Sequence, residues 1–157
     1  MNKVYEQISI NNKDTSSYER ELINEGWYGD SCVGPYLMVG GKKQRTYILA
    51  LIDHHSRKII GIDIIFSESL PRTALTPASK LTLEKWFRIL RAHWMASLNM
   101  SDFNSLEELR ASLLAYVQFY NQSVHSSLNG SSPQDHFYMN QKDMGRIEKI
   151  KHGGNDK

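Results

Sequence analysis

The sequence is short of cysteine and of long apolar runs, and each shortage excludes a class of protein. Its one cysteine, Cys32, excludes an internal disulfide and is typical of a reducing compartment. No apolar stretch approaches the roughly 20 residues that a membrane-spanning helix needs, and residues 1–7 lack the apolar stretch of a secretion signal. Nineteen basic and 17 acidic residues leave a net charge of only +2, which gives no strong field over the whole chain. We therefore expect a soluble, cytoplasmic protein with no membrane partner.

The composition is that of an ordinary globular domain. With 157 residues, of which 40% are hydrophobic and 23% charged, the chain is long enough to bury a core without disulfides or metals. Residues 1–23 form a polar N-terminal segment, and residues 138–157 form a C-terminal tail, of which we expect residues 151–157 to fray.

From Trp27 onward the sequence has the pattern of three strands. Residues 36–39 lead into Gly40-Gly41-Lys42-Lys43, which is typical of a glycine-containing hairpin connection. Residues 46–52 are almost wholly apolar, as in a strand covered on both faces. Residues 58–66 alternate, and short links between the three runs predict an antiparallel meander. The third-strand residues expected to share one face are Ile60, Ile62, Ile64 and Phe66.

Residues 67–79 are a connector whose two prolines argue against a regular helix there. From Lys80 onward the apolar residues recur with the spacing of a helix. Ser105 and Glu108 form a capping box that opens a second helix, and Ser132-Pro133 is typical of the start of another. The pattern predicts a mixed α/β (α+β) fold, with a meander followed by helices. The first helix should bury one stripe, which is Leu83, Phe87, Leu90 and Trp94.

Two carboxylates stand out by their positions. Asp30 lies near the start of the first strand, and Glu84 lies in the first turns of the first helix. Helical spacing places Glu84 on one face with the cations Lys80, Arg88 and Arg91. A carboxylate among cations suits a site that binds a divalent metal and a phosphate backbone together. The alternative is that these residues are ordinary i,i+4 neighbours on an exposed helix, which contribute a few tenths of a kcal/mol.

Four segments carry a resemblance to a known family. They are Asn-Glu-Gly-Trp-Tyr-Gly-Asp at residues 24–30, an Asp-x-x-Ser-Arg turn within residues 45–61, Ala-Ser-Lys with Glu-Lys-Trp-Phe-Arg within residues 78–88, and Tyr-Asn…His…Leu…Gly…Ser-Pro at residues 120–133. In this order they resemble the catalytic core of bacterial insertion-sequence transposases of the DDE type, which is similar to the core of retroviral integrases. The resemblance covers residues 24–137.

The resemblance implies an RNase H-like fold and a metal-dependent site. Three carboxylates of the family bind two Mg²⁺ or Mn²⁺ ions, which assist phosphodiester cleavage and strand transfer during DNA integration. By resemblance, Asp30 would be the first catalytic metal ligand and Glu84 the third. The candidates for contact with DNA are Lys80, Lys85, Arg88 and Arg91.

The chain also departs from the family pattern. The family's second aspartate follows a fourth strand, whereas here residues 67–78 are the whole interval before the glutamate segment and contain no aspartate. We therefore expect an internally deleted, incomplete RNase H-like core that binds metal weakly and has little or no activity. The family's helix-turn-helix recognition region, which precedes the core, is also expected to be missing. The alternative is a non-catalytic fragment that binds DNA, a second copy of itself or a full-length transposase.

Three other acids are candidates to replace the missing ligand. Asp53 is expected to pair with Ser56 or Arg57 across its turn, and Asp63 to face solvent or a helix cation. Glu68, just after the third strand, is the remaining acid. Loss of the fourth strand would also leave the first strand with an unpaired edge, so we expect marginal stability, self-association or both.

Overall fold

The computed structural model describes residues 22–66 and 77–140, with residues 77–80 described by their backbone alone. The first described range contains one antiparallel sheet with the strand order β1-β2-β3, which confirms the predicted meander. The connector at residues 67–76 and the tail from residue 141 lie outside the described residues. The strands are β1 (Trp27–Val39), β2 (Lys42–Asp53) and β3 (Ile59–Ile65).

The link between β1 and β2 is a hairpin turn, as predicted, but it has only two residues, since Lys42 and Lys43 already belong to β2. Gly40 and Gly41 have φ angles of 55° and 76°, and the flanking Val39 and Lys42 are paired across the ladder. Positive φ at both central residues is the requirement of a type I′ turn, whose twist matches that of the strands.

The predicted apolar face of β3 is partly wrong. Ile62 and Ile64 do contact the core, but Ile59 rather than Ile60 is buried at the start of the strand. The ladder pairs Leu51 with Gly61 but Ile52 with Ile59, so Ile60 is an extra residue in a β-bulge. One extra residue reverses the alternation on one side of the bulge, which is why a strict period of two failed here.

The helices follow the sheet in the second described range. The first begins at Pro77 rather than at Lys80, because proline is well tolerated in the first turn, where its missing N–H needs no partner. Ser105 accepts a hydrogen bond from the Glu108 amide and caps the second helix as predicted. The helices are α1 (Pro77–His93), α2 (Leu106–Gln122) and residues 133–140 (α3), with short 3₁₀ turns at Met95–Ser97, Met100–Asp102 and Ser126–Leu128.

The core lies between α1, α2 and one face of the sheet. The predicted stripe of α1 is confirmed, since each of its residues is at most 4% exposed, and Trp86 joins it at 2%. Burial of each such side chain stabilises the fold by about 1.5–3 kcal/mol. No helix in the described part of the chain is long and apolar enough to cross a bilayer. The core includes Ile48, Ala50 and Ile52 of β2, Leu83, Phe87 and Leu90 of α1, Trp94 just after α1, and Leu109, Leu113, Val117 and Tyr120 of α2.

Helix α2 closes the outer edge of β3 with two polar side chains. Asn121 accepts a hydrogen bond from the Ile59 amide and donates one to the Ile59 carbonyl, each at 2.9 Å. At the other end, Arg110 donates to the Ile64 carbonyl at 3.0 Å and pairs with Asp63 at 2.7 Å. Residues 110 to 121 of a helix span about 16 Å, close to the length of five strand residues. The helix therefore runs along this edge, and Asp63 faces a helix cation as predicted.

We expect Asn121→Ala to lower the free energy of unfolding by about 2–3 kcal/mol, because it leaves the amide and carbonyl of Ile59 without partners inside the protein. Urea denaturation measures this loss. Gln122→Ala, at an exposed position of the same helix, is the matched control and should change stability by only a few tenths of a kcal/mol. Equal effects of the two substitutions would contradict the assigned role of Asn121.

Candidate functional site

The turn between β2 and β3 is organised by a buried carboxylate. Asp53 is 0% exposed, and its oxygens accept hydrogen bonds from the Ser56 amide at 2.8 Å and the Ser56 hydroxyl at 2.7 Å. They also accept one from the Asn24 amide at 2.8 Å, which ties the segment before β1 to this turn. A buried carboxylate needs such donors. The expected pairing of Asp53 with Ser56 is confirmed, and Asp53 has a structural role.

This turn positions Arg57 against α1. Arg57 has a φ of 61°, and its Nη1 donates a hydrogen bond to the Thr82 hydroxyl at 2.9 Å. Burial raises the pKa of Tyr120 to about 12, and the nearby positive charge of Arg57 partly opposes that shift. The Arg57 guanidinium therefore lies between the first turns of α1 and the end of α2.

Asp30 lies on the helix-covered face of the sheet. It is paired across the ladder with Ala50, and partners directly opposite each other in a ladder point to the same face. Its Oδ1 accepts a hydrogen bond from the amide of the next residue, Ser31, at 2.8 Å. The His54 amide donates to the Gly26 carbonyl at 3.0 Å, and pairing alternates along the ladder, so the Ser31 amide points away from β2. Asp30 thus satisfies one amide at the outer edge of β1.

Glu84 and Arg91 are exposed on one flank of α1. They are seven positions apart and therefore come within about 20° of each other around the helix. Burial raises the pKa of the Cys32 thiol to about 11, with Arg91 acting to lower it and Asp30 to raise it. Arg91 and Asp30 are therefore both close to Cys32, and α1 packs against β1. The flank of α1 that carries Glu84 faces β1, the strand that carries Asp30.

The other predicted DNA contacts do not all share that flank. Lys85 is about 120° from Arg91 around the helix and lines a pocket on the side of Arg57. The Arg88 side chain is exposed, and Lys80 is described by its backbone alone. The predicted cations are thus divided between two sides of α1.

The residues described do not fit the two-metal site that the resemblance implies. Within residues 22–66 and 77–140, no group of three or more His, Cys, Asp or Glu side chains is arranged to hold a metal ion. Asp30 and Glu84 are the two expected ligands, and the proposed substitute Glu68 lies outside these ranges. In-line displacement between two metals needs a shared set of ligands that two carboxylates do not supply.

Sequence reasoning missed a pocket of about 230 Å³ on the far side of α1. The i,i+3 spacing of Thr82 and Lys85 places them on one helix face, but the approach of Arg57 depends on the folded turn. His125 lies here as well, with its ring 4.7 Å from that of Tyr120 and its Nε2 3.2 Å from the Tyr120 carbonyl oxygen. His125 therefore packs beside Tyr120 at the end of α2.

Comparison of the sequence with known proteins assigns it to no family. No protein-family model matches the chain, and no curated protein matches it. The relationship to transposases therefore stays a prediction from the four motifs.

The surroundings of Cys32 give a test of this geometry. Because Arg91 lowers the thiol pKa and Asp30 raises it, Arg91→Gln should slow alkylation of Cys32 by iodoacetamide and Asp30→Asn should accelerate it, each by a few-fold, since the thiolate is the reactive form. The alkylation rate as a function of pH, up to about pH 11, is the measurement.

Arg88→Gln removes an exposed cation from the same helix and should leave the rate unchanged. If Asp30→Asn and Arg91→Gln shifted the alkylation profile in the same direction, the placement of one of them beside Cys32 would be wrong.

Proposed function

We propose that the chain is the remnant of a DDE-type transposase core that no longer cleaves DNA. Four motifs in the family's order support this ancestry. The observation that carries the proposal is the placement of Asp30 and Glu84. One lies on the covered face of β1 and the other on the flank of α1 that faces β1.

The proposed fold is an RNase H-like sheet from which the fourth strand has been deleted. The mixed α/β architecture and the meander are compatible with it. The turn at Asp53 and the edge contacts of Asn121 give the Asp-x-x-Ser-Arg and Tyr-Asn motifs structural roles within such a core.

Loss of cleavage follows from the ligand count. The interval at residues 67–78 has no aspartate, and Asp63, which is near in sequence, is held by Arg110 at 2.7 Å. Asp53 is enclosed by its own turn. Neither acid is free to complete a set with Asp30 and Glu84, so the described residues retain only part of a metal site.

We expect no cation-dependent cleavage. Supercoiled plasmid incubated with the protein and Mg²⁺ or Mn²⁺ should be nicked no faster than with the Asp30→Asn/Glu84→Gln variant, as judged by conversion to open circles on agarose. Cation-dependent nicking that this double substitution abolishes would show that an acid elsewhere completes the site, and the proposed inactivity would be wrong.

The second candidate function is sequence-independent DNA binding, alone or together with a full-length transposase or a second copy. It is favoured by the exposure of Lys85, Arg88 and Arg91 on α1. Within the described ranges none of these three cations forms an ion pair. Unpaired cations on one helix would bind phosphates by releasing counterions, which makes the affinity fall steeply with salt.

For this second function we expect duplex DNA to bind with a linear dependence of log affinity on log salt concentration. Arg88→Gln/Arg91→Gln should flatten that slope by about two, because two phosphate contacts are lost. Lys42→Gln/Lys43→Gln, at the distant hairpin, carries the same change of charge and is the control. An equal loss from both pairs would indicate a response to net charge and would remove the helix from the proposal.

A further inference from the structure

A pocket of about 230 Å³ lies between the β2–β3 turn, the outer flank of α1 and the end of α2. Its floor is apolar, and its rim is polar and basic. It takes no part in the candidate site at Asp30 and Glu84. The residues that line it include Ile52, Arg57, Thr82, Lys85, Trp86 and Tyr120, together with residues of the turn that follows α2.

Two cations from separate parts of the chain meet at this pocket. Arg57 comes from the turn after β2 and Lys85 from α1. Neither is in an ion pair with an acid of the described chain, and no acid is among the described lining residues. The Arg57 guanidinium is oriented by its hydrogen bond to Thr82 at 2.9 Å. Two positive charges at one pocket with no acid in its described lining favour the binding of an anion.

Two neutral groups at the pocket can donate hydrogen bonds to a ligand. Ser127 carries a hydroxyl, whereas the Tyr120 hydroxyl already donates to the Arg57 carbonyl oxygen at 3.4 Å. Trp86 is 2% exposed, and its indole N–H, which can only donate, has no hydrogen-bond partner in the described structure. A pocket with two positive charges and these two donors disfavours cations and favours an oxyanion.

We propose that this pocket binds a phosphate group. Arg and Lys together supply the forked and the point-like donors that phosphate oxygens accept. A volume of about 230 Å³ is below the range usual for drug-sized ligands, so it suits a phosphate with at most a small attached group. The ligand is inorganic phosphate, a nucleoside monophosphate or the 5′ phosphate of a DNA strand. The proposal goes beyond the transposase ancestry and stands without it.

The test uses the indole N–H resonances of the ¹⁵N-labelled protein, titrated with inorganic phosphate at constant ionic strength. The Trp86 resonance should shift and saturate. Trp94, which donates to Ser112 at 3.0 Å, and Trp27, which donates to Asn24 at 3.1 Å, should not follow it. Lys85→Gln removes an exposed side chain and should weaken binding about five- to tenfold.

Lys42→Gln, with the same change of charge at the distant hairpin, should bind phosphate like the unsubstituted protein. Thermal unfolding of both variants shows that they fold. Absence of a saturable Trp86 shift, or equal weakening by Lys85→Gln and Lys42→Gln, would overturn the proposal.

The source of the phosphate is separated by three further probes. A short 5′-phosphorylated single strand that binds more tightly than both the nucleoside monophosphate and inorganic phosphate identifies a DNA end. Equal affinities for all three identify a small phosphate. A 5′-hydroxyl strand that binds as tightly as its phosphorylated form overturns phosphate recognition. These results do not depend on plasmid nicking or on Arg88 and Arg91, so the failure of one proposal leaves the other intact.

Discussion

The buried carboxylate of Asp53 is the constraint on which the described structure depends. A charge with no solvent contact is costly unless donors surround it, and the donors come from two places in the chain: the Ser56 turn and the Asn24 amide before β1. The carboxylate therefore fixes the turn that starts β3 and holds the entry of β1 beside it. The same turn gives Arg57 its left-handed backbone and directs it toward α1.

The backbone groups at the two outer edges of the sheet have different hydrogen-bond partners. At β3, the side chains of Asn121 and Arg110 bond directly to strand backbone, so α2 takes the place of a further strand. At β1, the described structure offers the carboxylate of Asp30, which serves the next amide in the chain. Asp63 does the same for the amide of Ile64 on the opposite edge. A single side chain satisfies one amide, so in the described ranges most of the outward-facing groups of β1 are left to water or to another strand.

Sequence patterns predicted the elements better than their contacts. The meander and the buried stripe of α1 follow from apolar residues that recur every 2 or 3.6 positions along the chain. The hairpin turn follows from its glycines. The bulge at Ile60 could not be predicted, because an extra residue in a ladder depends on both strands. Asn121 bonds to Ile59 from 62 positions away, and no local pattern encodes such a pair.

The same limit applies to the candidate site. A helical projection correctly groups Glu84 with Arg91, since their angular separation depends on helix geometry alone. It does not tell which flank meets which strand, because that depends on how α1 docks on the sheet. In the folded structure, the flank of α1 that carries Glu84 and Arg91 lies on the side of β1. The flank that carries Lys85 lies on the side of Arg57. One helix thereby separates a carboxylate-bearing side from a purely cationic one.

This separation decides what each side of α1 binds. On the β1 side, the cation Arg91 lies near Asp30 and Cys32, so positive and negative charge partly offset each other there. On the other side, Arg57 and Lys85 line one pocket whose described lining has no acid. An anion bound there meets two cations and no described carboxylate that would repel it. Of the two surfaces, the pocket is therefore the one that favours an anion, although the family resemblance points to the other.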